Sequence, residues 1–363
     1  MKKLLAMCVG LCSTLLLVDL WAGTFAPETK ETERLVLDDT FYEQNIQLDN
    51  AVAQLRATPS PKVIALGDST MYGSVVYQNE TIPYFLRQNL QRQMPHASVT
   101  NLAYPGARPA DLYAMLKLIP DAHPDLVVVD VNVVFYSQRI LQEGALANKT
   151  LKREFLYEPD VPKGVFADNR VEETLKTWLK DTNIGQYQTA INKQLFGLQP
   201  RQYVRDAVDA LSPPKASAQP PANTATPENI IGVPWTSKTW GDQERATMER
   251  IYGKGLLVKE ENDSVKMLIA FQEYAKEHGI NVLYYLAPQN ESLIGQFFSL
   301  GQLHDNQEFL REKLVRGSSW YLDLSREIPS NLFGDYDHML REGNARVADR
   351  LADEIKAKGV LGR

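Results

Sequence analysis

The chain has 363 residues and a mass of 41.0 kDa, enough for one large α/β domain or two smaller ones. Its 44% hydrophobic and 23% charged residues are globular proportions, which excludes disorder, collagen and coiled coil as global descriptions. A net charge of −6 argues against a nucleic-acid partner, and the only two cysteines, Cys8 and Cys12, leave the rest of the chain without a disulfide framework or a thiolate metal site.

The chain opens Met1-Lys2-Lys3 and runs apolar from Leu4 to Val18, is broken at Asp19, and continues Leu20-Trp21-Ala22-Gly23. Two lysines before an apolar run form the positive start of an export signal. The segment lies between a signal core of roughly 7 to 15 residues and the roughly 20 a spanning helix needs. Residues 1–26 therefore read as a signal peptide cut near Ala22 or Gly23, or as an uncleaved signal anchor. The anchor is favoured because no small-x-small site precedes Pro27 and because Trp21 suits a membrane interface. As a helix, it places Cys8 and Cys12 on one face. Neither cysteine follows a lipobox. The remainder is expected to be extracytoplasmic, in the periplasm, held at the inner membrane by the N-terminal helix.

Residues 27–60 are polar and read as a stalk, with a helix over 41–55. Lys62-Val63-Ile64-Ala65-Leu66 is a short buried strand ending at Gly67-Asp68-Ser69. A helix follows over 81–93, a strand over 98–102, and a helix over 109–118 with Pro109 in its first turn. The valine-rich 125–131 is a central parallel strand. Further strands fall at 281–286 and 320–324, and a last helix at 342–356. Strands alternating with helices predict a parallel α/β sheet. The stretch 137–260 breaks the rhythm: it holds helical segments at 171–180 and 187–196 and a Pro/Ala-rich loop at 212–227, and reads as a helical insertion.

A serine at the carboxyl end of a parallel strand lies on the edge where open α/β sheets bind ligands. Alone, Gly67-Asp68-Ser69 equally fits an ordinary strand-to-turn junction. Of the five histidines, His338 in Asp335-Tyr336-Asp337-His338 has a suitably spaced acid. Asp335 can accept the Nδ1 proton, leaving Nε2 to deprotonate Ser69. Asp337 is the less favoured partner, because an adjacent residue usually points elsewhere. Two groups at the ends of the second and third strands can serve as oxyanion donors: the backbone N–H of Gly106 and the side-chain amide of Asn132. No two histidines share metal-ligand spacing, so no metal is expected.

These blocks, Ser69, Gly106, Asn132, then Asp335 and His338, resemble the SGNH/GDSL hydrolase superfamily over about residues 61–136 and 280–357. The resemblance implies a flavodoxin-like three-layer α/β/α sandwich with a central parallel sheet, here carrying the helical insertion. It also implies Ser69 as nucleophile, His338 as base and Asp335 as its orienter. The Ser69 and Gly106 N–H groups with the Asn132 amide would form the oxyanion hole, and no cofactor is required. Two blocks depart from the family pattern. Gly-Asp-Ser-Leu reads Gly-Asp-Ser-Thr, ending in Thr70, and Gly-x-Asn-Asp reads Asp130-Val131-Asn132-Val133.

The expected activity is transfer or hydrolysis of a small acyl group such as acetyl on a cell-envelope polysaccharide. The resemblance extends to envelope proteins that work beside a membrane-bound O-acyltransferase partner. A broad lipase or carboxylesterase and a non-catalytic envelope scaffold are the alternatives. Tyr72, Tyr104, Phe135 and Tyr136 are candidates for an aromatic sugar platform, Arg108 for an acidic sugar, and Gln289 and Asn290 for substrate contact at the end of the fourth strand.

Overall fold

The computed structural model describes residues 2–25, 51–137, 231–253, 257–317 and 320–361, together with Leu48, 182–186, Ile191 and Leu195. The expected helix at 171–180, all of the one at 187–196 but Ile191 and Leu195, the 212–227 loop and most of the 27–60 stalk lie outside these residues. Of the stalk helix, 51–57 is described and helical.

The chain divides into two units. One contains helix α1 (Lys2–Ala22) and a helical turn, Asn183–Gln186. Within it, Asp19 accepts hydrogen bonds from the Ile184 N–H at 3.1 Å and from Asn183 Nδ2 at 3.3 Å. The side chains of Leu16, Leu17 and Leu20 are exposed. Among the described residues, no helix is long and apolar enough to cross a membrane.

The other unit is an α/β/α sandwich. Five strands, β1 (Lys62–Leu66), β2 (Ser98–Asn101), β3 (Leu126–Val131), β4 (Val282–Leu286) and β5 (Tyr321–Asp323), pair in the order β2-β1-β3-β4-β5. All four pairings are parallel. Parallel strands need crossovers, and the helices that supply them cover both faces. That is why β1, β3 and β4 are buried along their whole length and lack the alternation of a half-exposed strand.

Alternate residues serve the two faces. Val63, Ala65, Leu126, Val128, Leu283 and Tyr285 share one apolar cluster with Ile82, Leu86 and Leu90 of α2 (Ile82–Gln91) and with Val347, Leu351 and Ile355 of the last helix, α7 (Arg341–Lys358). Tyr284 faces the opposite way and meets Phe271 edge-on, with ring centroids 5.9 Å apart. Phe271 belongs to α5 (Asp263–Glu277), which packs against α3 (Pro109–Leu118) and α6 (Gly301–Gly317). Local chemistry sets the helix ends: Thr81 caps α2 by accepting the Tyr84 N–H, Pro109 opens α3, and Gly359 closes α7 with a left-handed φ of 60°.

The carboxyl end of the expected insertion belongs to this same unit. Residues 231–253 include α4 (Asp242–Tyr252). The Gly232 N–H donates to the Val75 carbonyl, the Trp235 N–H to the Phe333 carbonyl, and the Trp235 indole to the Ser330 carbonyl at 2.9 Å. Trp235 packs on the same cluster as α2 and α7.

Leu351 has no exposed surface and sits between sheet and helix. Leu351→Ala is expected to cost about 2–5 kcal/mol through lost burial and the cavity left behind. Urea denaturation of the intact chain checks this.

Candidate active site

The order β2-β1-β3 reverses direction at β1, so the crevice between the carboxyl ends of β1 and β3 is the topological switch point where such sheets bind ligands. Ser69 leaves β1 there and Asn132 leaves β3. Between Leu66 and Ser69, Asp68 caps a one-turn helix, Ser69–Tyr72, by accepting the Thr70 N–H at 2.7 Å. Gly73 ends the turn with φ 80°, a conformation that favours glycine. Ser69 itself is half-buried.

The histidine is placed by the loop before α7. Asp335, fully buried, accepts the N–H of Asp337 at 3.1 Å and of His338 at 2.8 Å on one carboxylate oxygen. Its other oxygen lies 2.8 Å from His338 Nδ1. The side chain that folds the turn is therefore the one that orients the imidazole. Asn290 supports this loop from β4. Its N–H donates to the Tyr336 carbonyl at 2.8 Å and its side chain to the Asp335 carbonyl at 2.9 Å. His338 Nε2 has no hydrogen-bond partner among the described residues, so Ser69 is not bonded to it in this resting geometry. Such contacts often tighten only when substrate binds.

Asp337 does not point away as the sequence suggests. It is buried, and its Oδ1 stands 3.1 Å from His338 Nδ1. Asn132 donates from its amide nitrogen to Asp68 Oδ2 at 2.9 Å and to Asp337 Oδ2 at 3.1 Å. One side chain thus ties the residue before Ser69 to the residue before His338. The Asn132 carbonyl accepts from the Val134 N–H and from Gln289 Nε2, each at 3.2 Å. Gln289 in turn accepts the Tyr252 hydroxyl at 2.5 Å. Gly106 lies in the turn after β2 with φ 72°.

Several expected substrate contacts are corrected by burial. Tyr104 and Tyr136 expose 1% and 3% of their surface, too little for their rings to serve as a sugar platform, and Asn290, expected to contact substrate, exposes 0%. Aromatic residues beside a motif have gone into the core, and Asn290 holds the histidine loop instead. Tyr72, Phe135 and Arg108 are half-buried. Sequence reading missed Thr70, Asp130 and Tyr252, and gave Asp68 no task of its own. For Thr70 and Asp130 the signal was present, since both are departures from the family's blocks. Tyr252 sits in a stretch with no motif.

No family model matches the chain, and no curated protein matches it. Solved structures similar to it include an acetyl xylan esterase at 14% identity, covering 81% of this chain and 99% of that one, with a TM-score of 0.39. A G-D-S-L family lipolytic protein from Desulfitobacterium hafniense DCB-2 is similar at 13% identity, with the same two coverages and a TM-score of 0.36. A carbohydrate esterase family 2 enzyme with a carbohydrate-binding domain, from Corynascus thermopiles (Myceliophthora fergusii), is similar at 11% identity over 84% of this chain and 68% of that one, with a TM-score of 0.37.

Electrostatically the site has more carboxylates than cations. Burial works against a charged His338, but the carboxylates of Asp335 and Asp337 outweigh it and push the imidazole up to about 10. Burial also raises the Asp337 carboxyl well above its ordinary value, against the lowering effect of His338. Asp335, Asp337 and His338 are a group whose donor atoms lie close enough to share a cation. The geometry fits a hydrogen-bonded dyad better, since Nδ1 already faces Asp335 at 2.8 Å.

The imidazolium is the form the fold favours. Its stabilisation is full below the unfolded histidine value of about 6.5 and is lost as pH rises through the folded value. In a proton NMR titration the His338 ring is expected to titrate near 10, and Asp337→Asn should lower that midpoint. An unchanged midpoint would show that Asp337 does not act on the ring.

Proposed function

We propose that the chain is a serine esterase or O-acyltransferase that forms an acyl-enzyme on Ser69. The observation that carries this reading is the buried Asp335 bonded to His338 Nδ1, with Nε2 left without a partner, in the loop that Asn132 ties to the serine turn. In the proposed reaction the ring acts in its neutral form, and Nε2 takes the Ser69 hydroxyl proton as Oγ attacks the acyl carbonyl. The imidazolium then protonates the departing alkoxide, leaving the acyl group on Ser69. Water completes hydrolysis, or a sugar hydroxyl completes transfer, each giving its proton to the restored base. Asp335 fixes the tautomer throughout.

Negative charge on the tetrahedral oxygen would fall to the Ser69 and Gly106 N–H groups. The Asn132 amide has both protons on carboxylates at rest. Its contribution to the oxyanion requires release of Asp68 or Asp337.

The substrate we propose is a small acyl ester, such as acetyl, of an extracytoplasmic cell-envelope polysaccharide. The export pattern of residues 1–26 and the resemblance of the sequence blocks support this setting. The same pattern supports attachment to the inner membrane and work beside a membrane-bound O-acyltransferase.

The full chain in detergent should hydrolyse p-nitrophenyl acetate in preference to the palmitate ester. Ser69→Ala should lower kcat by roughly a thousandfold or more, and should abolish labelling by a fluorophosphonate probe. A fully active alanine variant would remove Ser69 from the mechanism, and a preference for palmitate would replace the small-acyl reading with a lipase.

A further inference from the structure

We infer that Asp130 and Thr70 form a clamp that fixes the backbone on both sides of Ser69 and so sets the direction of its hydroxyl. The inference rests on Ser69 being the nucleophile and adds two positioning residues to that reading.

Asp130 lies on β3, where Leu66 of β1 pairs with Val129, so its side chain stands beside the start of the serine turn. Its Oδ1 accepts the Asp68 N–H at 3.2 Å and its Oδ2 accepts the Thr70 hydroxyl at 2.7 Å. One carboxylate therefore holds the residue before Ser69 and the residue after it. The approach is possible only because residue 67 is glycine. A Cβ there would lie 2.1 Å from Asp130 Oδ1. All three parts, Gly67, Thr70 and Asp130, fit one another, and Thr70 and Asp130 are two of the three places, with Val133, where the motif blocks depart from their usual residues.

Filling space does not account for this arrangement. Asp130 is 2% exposed and stands next to Asp68, also 2% exposed. Burying two carboxylates side by side is unfavourable, and an apolar residue would pack there without that cost. Burial, and then the charge of Asp68, raise the Asp130 carboxyl well above its ordinary value, so the pair is eased by holding a proton. What the carboxylate supplies is two acceptors at a fixed separation, aimed at a turn that must not rotate. Orientation of a reacting group within a fraction of an ångström has a large effect on rate and little on ground-state binding.

The test uses the full chain and two readouts, p-nitrophenyl acetate kinetics and the rate of fluorophosphonate labelling, with far-UV circular dichroism as the check on folding. Thr70→Val and Asp130→Ala should each lower kcat and labelling rate about 10- to 100-fold with KM nearly unchanged. The double variant should be no worse than the poorer single one, because both remove the same contact. Thr70→Ser keeps the hydroxyl and Asp130→Asn keeps an acceptor and a polar partner. Both should retain activity within about fivefold of wild type. Folded Thr70→Val and Asp130→Ala proteins that label at the wild-type rate, or losses that multiply in the double variant, would overturn the clamp while Ser69→Ala remains unlabelled. Labelling that survives Ser69→Ala would overturn the nucleophile assignment and the clamp with it.

Discussion

The carboxyl edge of the sheet is organised by a surplus of buried negative charge. Asp68, Asp130, Asp335 and Asp337 are all nearly inaccessible, and the group beside them that can carry a positive charge is His338. Four ionised carboxylates in so small a volume would repel one another by several kcal/mol. The structure answers in three ways. His338 turns Nδ1 to Asp335, the Asn132 amide is shared between Asp68 and Asp337, and Asp130 draws on the Thr70 hydroxyl and the Asp68 N–H. Each answer also fixes a piece of the site, so charge compensation and geometric placement are the same interactions seen from two sides.

The order of the strands makes this possible. With β1 lying between β2 and β3, the chain can bring the serine turn, the Gly106 turn and Asn132 to neighbouring positions without a long loop. The histidine arrives last, after β5, on a loop that Asn290 anchors to the end of β4. Four strand ends thus converge on one short stretch of edge, and the packing of α2 and α7 beneath it supplies the rigidity that loops alone would lack.

Much of this was legible in the sequence. Runs such as Leu126–Val131 can be little else than a buried parallel strand, and the spacing of Asp335 and His338 fits a single turn. What was not legible was direction. Tyr104 and Tyr136 stand beside the motif residues in sequence, yet their rings point into the core, because a loop's side chains obey no simple alternation. Asp337 was misread for the same reason: Asp335 folds the turn so tightly that its neighbour comes back to the ring. Thr70 and Asp130 stood out only as deviations, since a contact between residues 60 apart in sequence has no local signature.

One contact bears on how much chain the site requires. The Tyr252 hydroxyl reaches Gln289, and Gln289 reaches Asn132. The phenol comes from a stretch that lies outside the family's blocks, yet it is two hydrogen bonds from the amide that links serine and histidine. The site therefore draws on parts of the chain far apart in sequence, from Asp68 and Asn132 to Tyr252, Gln289 and Asp337. The segment that returns through Trp235 and Tyr252 must therefore keep its place for Gln289 and the Asn132 amide to keep theirs.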